Sequence, residues 1–83
     1  MEPPTYTPDA LRAVLTRHTL TGSQAGQLLG VDSRTIRKWT AATTIDNHRD
    51  MPNSAWWLLL ILTGEISASA LLAYLGHETR GSE

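Results

Sequence analysis

The chain has 83 residues, no cysteine and a net charge of −1 at pH 7. That length reads as one small domain with little core to spare, and the absence of cysteine excludes a disulfide framework or a thiolate metal site. The longest apolar run, Ala55–Leu62, falls short of the roughly 20 residues that span a bilayer, and the start MEPPTYTPD has no basic and no apolar signal-peptide region, so a soluble cytoplasmic protein with no membrane partner is expected.

Thr7 suits a helix N-cap, Pro8 the first helical position and Asp9 the positive end of the helix dipole. Leu11, Val14, Leu15 and His18 then follow at i, i+3, i+4 and i+7, a first helix with one buried stripe that ends near His18. Thr21 with Gln24 fits a capping box and opens a short second helix, in which Ala25, Leu28 and Leu29 share a face. Gly30 ends it in the left-handed conformation, and Asp32 caps a third helix, Ser33–Thr40, at once. Two short helices joined by a tight glycine-containing turn over residues 21–40 form the helix-turn-helix pattern. At 100° per residue, Ser33, Arg34, Arg37 and Lys38 fall within about 140° of arc, with Ile36 and Trp39 opposite.

Ala41–Met51 keeps no sustained period and reads as a loop, long for so small a domain. Pro52 and Asn53 open a fourth helix that Gly64 closes. Ser67 caps a fifth, with Ala68, Leu71, Leu72 and Leu75 on one stripe, Gly76 as its stop and a frayed tail over 77–83. Phenylalanine is absent and strand-like alternation is never sustained, so the expectation is a single all-α domain over 1–83 with five helices. The fourth helix is apolar at every position from Ala55 to Leu62, more than one face of a monomer buries. The helices over 53–76 are therefore expected to form a homodimer interface from Trp56, Trp57, Leu59, Leu60, Leu71 and Leu75. The adjacent tryptophans point about 100° apart, one to the core and one to the partner.

The segment LTGSQAGQLLGVDSRTIRKW, Leu20 to Trp39, resembles the Cro/phage-repressor (XRE) helix-turn-helix family, with Leu20, Thr21, Leu28, Leu29, Gly30, Val31, Thr35, Ile36 and Trp39 where that family tends to have those types. With the first helix, the likeness covers about half the chain. The wider layout, with a long loop ending near Pro52 and an apolar helix after it, resembles the small anti-CRISPR-associated (Aca) regulators of phages, which are dimeric autorepressors of anti-CRISPR operons. Ser33-Arg34-Thr35-Ile36-Arg37 meets their small/acidic-Arg-x-x-Arg pattern. Ser23 and Gln24 stand where they tend to have basic residues, and Gly22 replaces the glutamine usual in the broader family. The resemblance implies a repressor that binds an inverted-repeat operator in double-stranded DNA.

The charge distribution agrees with such a partner. Between Ala10 and Arg49 six basic residues, Arg12, Arg17, Arg34, Arg37, Lys38 and Arg49, stand against Asp32 and Asp46, a local net of +4. Arg34, at the start of the third helix, is expected to read a guanine edge with its planar fork, Arg37 a base or a phosphate, and Ser33 either. Lys38, Thr21, Gln24 and Arg49 are the expected phosphate contacts. Arg12 and Arg17 read as plain surface charge, His18 as a satisfied semi-buried side chain and Trp39 as core. His18, His48 and His77 lack zinc-ligand spacing, so no metal is expected. With no Ser/His/Asp set, paired carboxylates or phosphate loop, neither an enzyme nor a cofactor is expected. The competing reading is a protein-interaction module, an antitoxin or a protein inhibitor, favoured by the neutral second helix. Activation rather than repression is a further alternative.

Overall fold

The computed structural model describes residues 3–42 and 48–79, with side chains described as far as residue 76. All regular structure among them is helical: α1 (Pro8–Arg17), α2 (Gly22–Leu29), α3 (Ser33–Thr40), α4 (Asn53–Leu62) and α5 (Ala68–Thr79). The middle of the expected loop, 43–47, and the end of the expected frayed tail, 80–83, lie outside the described residues. No helix among the described residues is long and apolar enough to cross a membrane.

Local capping chemistry sets most boundaries. The Thr7 hydroxyl accepts from the Ala10 N–H at 2.9 Å, with Pro8 in the first turn of α1. Thr19 takes φ +53° after the helix, and the Leu20 N–H returns to the Leu15 carbonyl at 2.9 Å. A β-branched residue thus occupies the left-handed closing position that glycine or asparagine usually fills. Both halves of the α2 capping box form: the Gln24 N–H donates to Thr21 Oγ1 at 3.1 Å and the Thr21 N–H to Gln24 Oε1 at 2.9 Å. Gly30 closes α2 at φ +72°. Asp32 caps α3 by accepting from both the Thr35 N–H, at 2.8 Å, and the Thr35 hydroxyl, at 2.9 Å.

The turn between α2 and α3 lies directly on Gly26. A Cβ at that position would sit 2.5 Å from the Val31 carbonyl oxygen and 3.3 Å from the Asp32 carbonyl carbon. The Val31 N–H also donates to the Gly26 carbonyl at 2.9 Å, so the contact is backbone on backbone. With the turn this close, α3 packs against α2 and α1, burying Ile36 and Trp39 among Leu11, Val14, Leu15 and Ala25. The chain rejoins this core at Met51, and α4 adds Trp56, Leu59 and Leu60. The N-terminal arm crosses α4: Trp56 Nε1 donates to the Pro4 carbonyl at 2.7 Å, and the Tyr6 ring meets Trp56 edge-on at 6.0 Å between centroids.

Several sequence expectations change here. Trp56, Leu59 and Leu60, expected at a dimer interface, are essentially inaccessible within one chain, with Trp56 only 1% exposed. α4 turns that face onto α1–α3, which leaves those three side chains no surface for a partner. Leu71 is likewise buried, whereas Trp57 and Leu75 stay half-buried. The outward apolar side chains are instead Leu58, Leu62 at 49% and Leu72 at 68% exposure. The expected α5 stripe is therefore split, and α5 runs past Gly76 to Thr79 because nothing there forces glycine out of helical geometry. Of the residues expected to share a face of α2, Ala25 is buried and Leu28 is exposed, and Gly26 is the second buried residue of the helix.

Replacing Gly26 by alanine must push backbone, not a flexible side-chain end. Gly26→Ala is expected to lower unfolding stability by about 2 kcal/mol or more, read from urea midpoints. Gly22→Ala is the contrast: its Cβ would meet only Ile36 Cγ2, at 3.9 Å, so stability holds or rises by up to about 1 kcal/mol. Equal losses in the two variants would show that the turn does not rest on Gly26.

Candidate nucleic-acid interface

α3 carries the strongest separation of charge from apolar surface in the chain. Ile36 and Trp39 are buried, Arg34, Arg37 and Lys38 are exposed, and Ser33 is half-buried at the first helical position. None of the three cations forms a salt bridge with a described residue. The other basic side chains of the N-terminal half are engaged. Arg12 pairs with Asp9 and also donates to the Thr40 carbonyl. Arg17 Nε lies 3.0 Å from Glu65, and His18 Nε2 lies 2.7 Å from the same carboxylate oxygen. Among the described residues of the N-terminal half, the basic side chains without a salt bridge are thus those of α3.

Both ends of that helix are held. At the N-terminus the Asp32 carboxyl is kept below its usual range, first by the Thr35 backbone N–H, then by the Thr35 hydroxyl, with smaller contributions from the Arg34 and Lys38 charges. At the C-terminus the last carbonyls of a helix have no partner within it. Here each finds one: Arg37 from the Thr40 hydroxyl of the same helix at 3.1 Å, and, from other segments, Lys38 from the Arg49 N–H at 3.2 Å, Trp39 from the Tyr6 hydroxyl at 2.5 Å, and Thr40 from the Arg12 guanidinium. His48 bridges the next carbonyl, with Nδ1 2.9 Å from Ala41 O and Nε2 2.7 Å from the Asp50 carboxylate. Burial raises the Tyr6 hydroxyl above its usual range, opposed by a hydrogen bond with the Met51 backbone.

The sequence-predicted residues fall into three groups. Ser33, Arg34, Arg37 and Lys38 share α3, with the three cations on its exposed side. Arg49 is brought beside the C-terminal end of α3 through its backbone, while its guanidinium donates to the His48 carbonyl at 2.8 Å. Thr21 and Gln24 are exposed at the start of α2, but their side-chain oxygens are taken up by the capping box. The Thr21 O–H and the Gln24 amide N–H groups are the side-chain donors left to that surface. Sequence reasoning missed Tyr6, Arg12 and His48, which contact α3 or the residue after it from 7 to 33 positions away. No periodicity or spacing links those residues to the end of a helix so distant in the chain.

Comparison of the chain with family models, with curated proteins and with solved structures finds no match.

The ion-pair cluster that joins the end of α1 to the segment after α4 gives a pH test. Glu65 is held below its ordinary value of 4.5, first by the hydrogen bond from Arg17 and then by that from His18. A depressed folded-state value means that the contribution is complete above the unfolded titration range and is lost as the pH falls through the lowered value. Glu65→Gln should therefore lose less thermal stability than the parent chain between about pH 6 and about pH 3. Parallel acid limbs in the two melting series would show that Glu65 contributes nothing there.

Proposed function

We propose that the chain is a dimeric, sequence-specific double-stranded-DNA-binding protein in which α2, the turn and α3 form a helix-turn-helix and α3 is the recognition helix. The observation that carries this reading is α3 itself: a short helix anchored by Ile36 and Trp39, fixed at both ends, and presenting Arg34, Arg37 and Lys38 with no salt bridge to a described residue. A helix of this girth fits the major groove, about 12 Å wide, and its N-terminal residues meet the base edges. Arg34 supplies a bidentate fork for guanine O6 and N7, Arg37 a second base or a phosphate, and Ser33 a short hydroxyl at the groove floor. Lys38, Arg49 and the donors of Thr21 and Gln24 hold the flanking phosphates.

One such helix reads only a few base pairs, whereas two related by a two-fold axis read an inverted repeat about 34 Å apart. The outward apolar side chains Leu58, Leu62 and Leu72, with the half-buried Trp57, supply the self-complementary surface in this reading. The sequence resemblance to the anti-CRISPR-associated regulators supports repression of the chain's own operon, in a phage or mobile element. A protein-interaction role, as an antitoxin or inhibitor, draws on the same exposed leucines, and a mobility shift on duplex DNA separates the two.

Arg34→Ala is expected to weaken operator binding by about 1–3 kcal/mol and to relax preference at one base pair per half-site, read on operator variants. Lys38→Ala should instead weaken binding to all sequences alike and make the log–log salt slope shallower by roughly one unit for each phosphate left without its cation. Unchanged operator affinity in Arg34→Ala would remove that residue from the site.

For the dimer, Leu62→Glu should give a folded chain, by circular dichroism, that sediments as a monomer and loses preference for full palindromes. Leu59→Glu should unfold the chain, because Leu59 has no exposed surface. A parent chain that sediments as a monomer at micromolar concentration and binds half-sites as well as palindromes would rule out the dimer.

A further inference from the structure

The C-terminal end of α3 draws on three other segments of the chain for its hydrogen bonds, and the N-terminal arm is one of them. The arm is tied to α4 where Trp56 Nε1 donates to the Pro4 carbonyl at 2.7 Å. Two residues on, the Tyr6 ring packs edge-on against Trp56, and its hydroxyl donates to the Trp39 carbonyl at 2.5 Å, across 33 positions of sequence. Trp39 is the last buried residue of α3. Tyr6 is therefore a strut between the indole at the base of α4 and the far end of the helix that carries Arg34 and Arg37. Its ring is only half-buried, and the hydroxyl is aimed at a helix end, not at solvent.

The geometry of α3 makes that end sensitive. Eight residues at about 1.5 Å rise span about 12 Å, so a shift of about 1 Å at one end tilts the helix by about 5°. Contacts to phosphate tolerate such a tilt, because they depend on charge and distance. A bidentate fork on a base edge does not, since both donors must stay in the plane of the base.

We propose that Tyr6 is a positioning residue for base recognition: its hydroxyl fixes the C-terminal end of α3 and so sets the angle at which Arg34 and Arg37 enter the groove. This inference rests on the DNA-binding reading above. It assigns to an arm outside the α2–α3 unit a role in sequence discrimination without contact to DNA.

The test uses the full chain and the Tyr6→Phe substitution, which keeps the ring on Trp56 and removes one hydroxyl. A duplex selected by the parent chain from a random pool is compared with an unrelated duplex over a range of salt. Tyr6→Phe is expected to bind the selected duplex roughly tenfold more weakly, the scale of one missing hydrogen bond, while affinity for the unrelated duplex and the salt slope stay unchanged. In an Arg34→Ala background the same substitution should have a smaller further effect, because one of the base contacts it aligns is already absent. Equal loss on both duplexes, as a fall in folded protein alone produces, would overturn the proposal, and so would parent-like binding of the selected duplex. A parent chain that selects no duplex from the pool would instead overturn the DNA-binding reading, and this inference with it.

Discussion

The structure depends on one close approach, the backbone of Val31 and Asp32 lying against the Cα of Gly26. A Cβ there would stand 2.5 Å from a carbonyl oxygen, a distance that real side chains essentially never show. The contact sets how near the turn comes to α2, and hence how α3 lies across α2 and α1. Gly30 then reverses the chain at φ +72°, and Asp32 restarts it as helix with both of its hydrogen bonds to Thr35. A looser turn would lift Ile36 and Trp39 from the core and leave α3 without its anchor.

That anchor also decides where charge appears. Because Ile36 and Trp39 turn inward, Arg34, Arg37 and Lys38 have no choice but to face out. Elsewhere in the N-terminal half the cations meet acids, Arg12 on Asp9 and Arg17 on Glu65. A chain of net charge −1 thereby keeps three cations on α3 without a salt bridge to a described residue, with Asp32 at the start of the same helix engaged in capping it. The donors at the C-terminal end of α3 complete its fixation, and they also join the arm, α1 and the segment before α4 to one helix end.

α4 works differently. Every position from Ala55 to Leu62 is apolar, and the core takes one face only, through Trp56, Leu59 and Leu60. The opposite face, with Leu58 and Leu62, stays open to solvent, and α5 covers little because Leu71 is its one buried residue among the described side chains. Apolar surface left in this way on a small chain is a feature of binding faces.

By itself the sequence determined the helices and the amphipathic character of α3. The reason is range: Thr7, Thr21 with Gln24, and Asp32 act on backbone groups three residues away, and Ile36 and Trp39 share a face through a local period. Signals of that kind survive in any short window. The tertiary structure alone decided which side of α4 is buried, because a helix apolar all round has no period to read. It alone revealed Gly26 as a contact point, since a glycine inside a helix otherwise reads as a weak spot. It alone brought Tyr6, Arg12 and Arg49 to the end of α3 and set Glu65 against Arg17 and His18. Those pairings join residues that are neighbours only once the core has closed, and no local preference of either partner encodes the other.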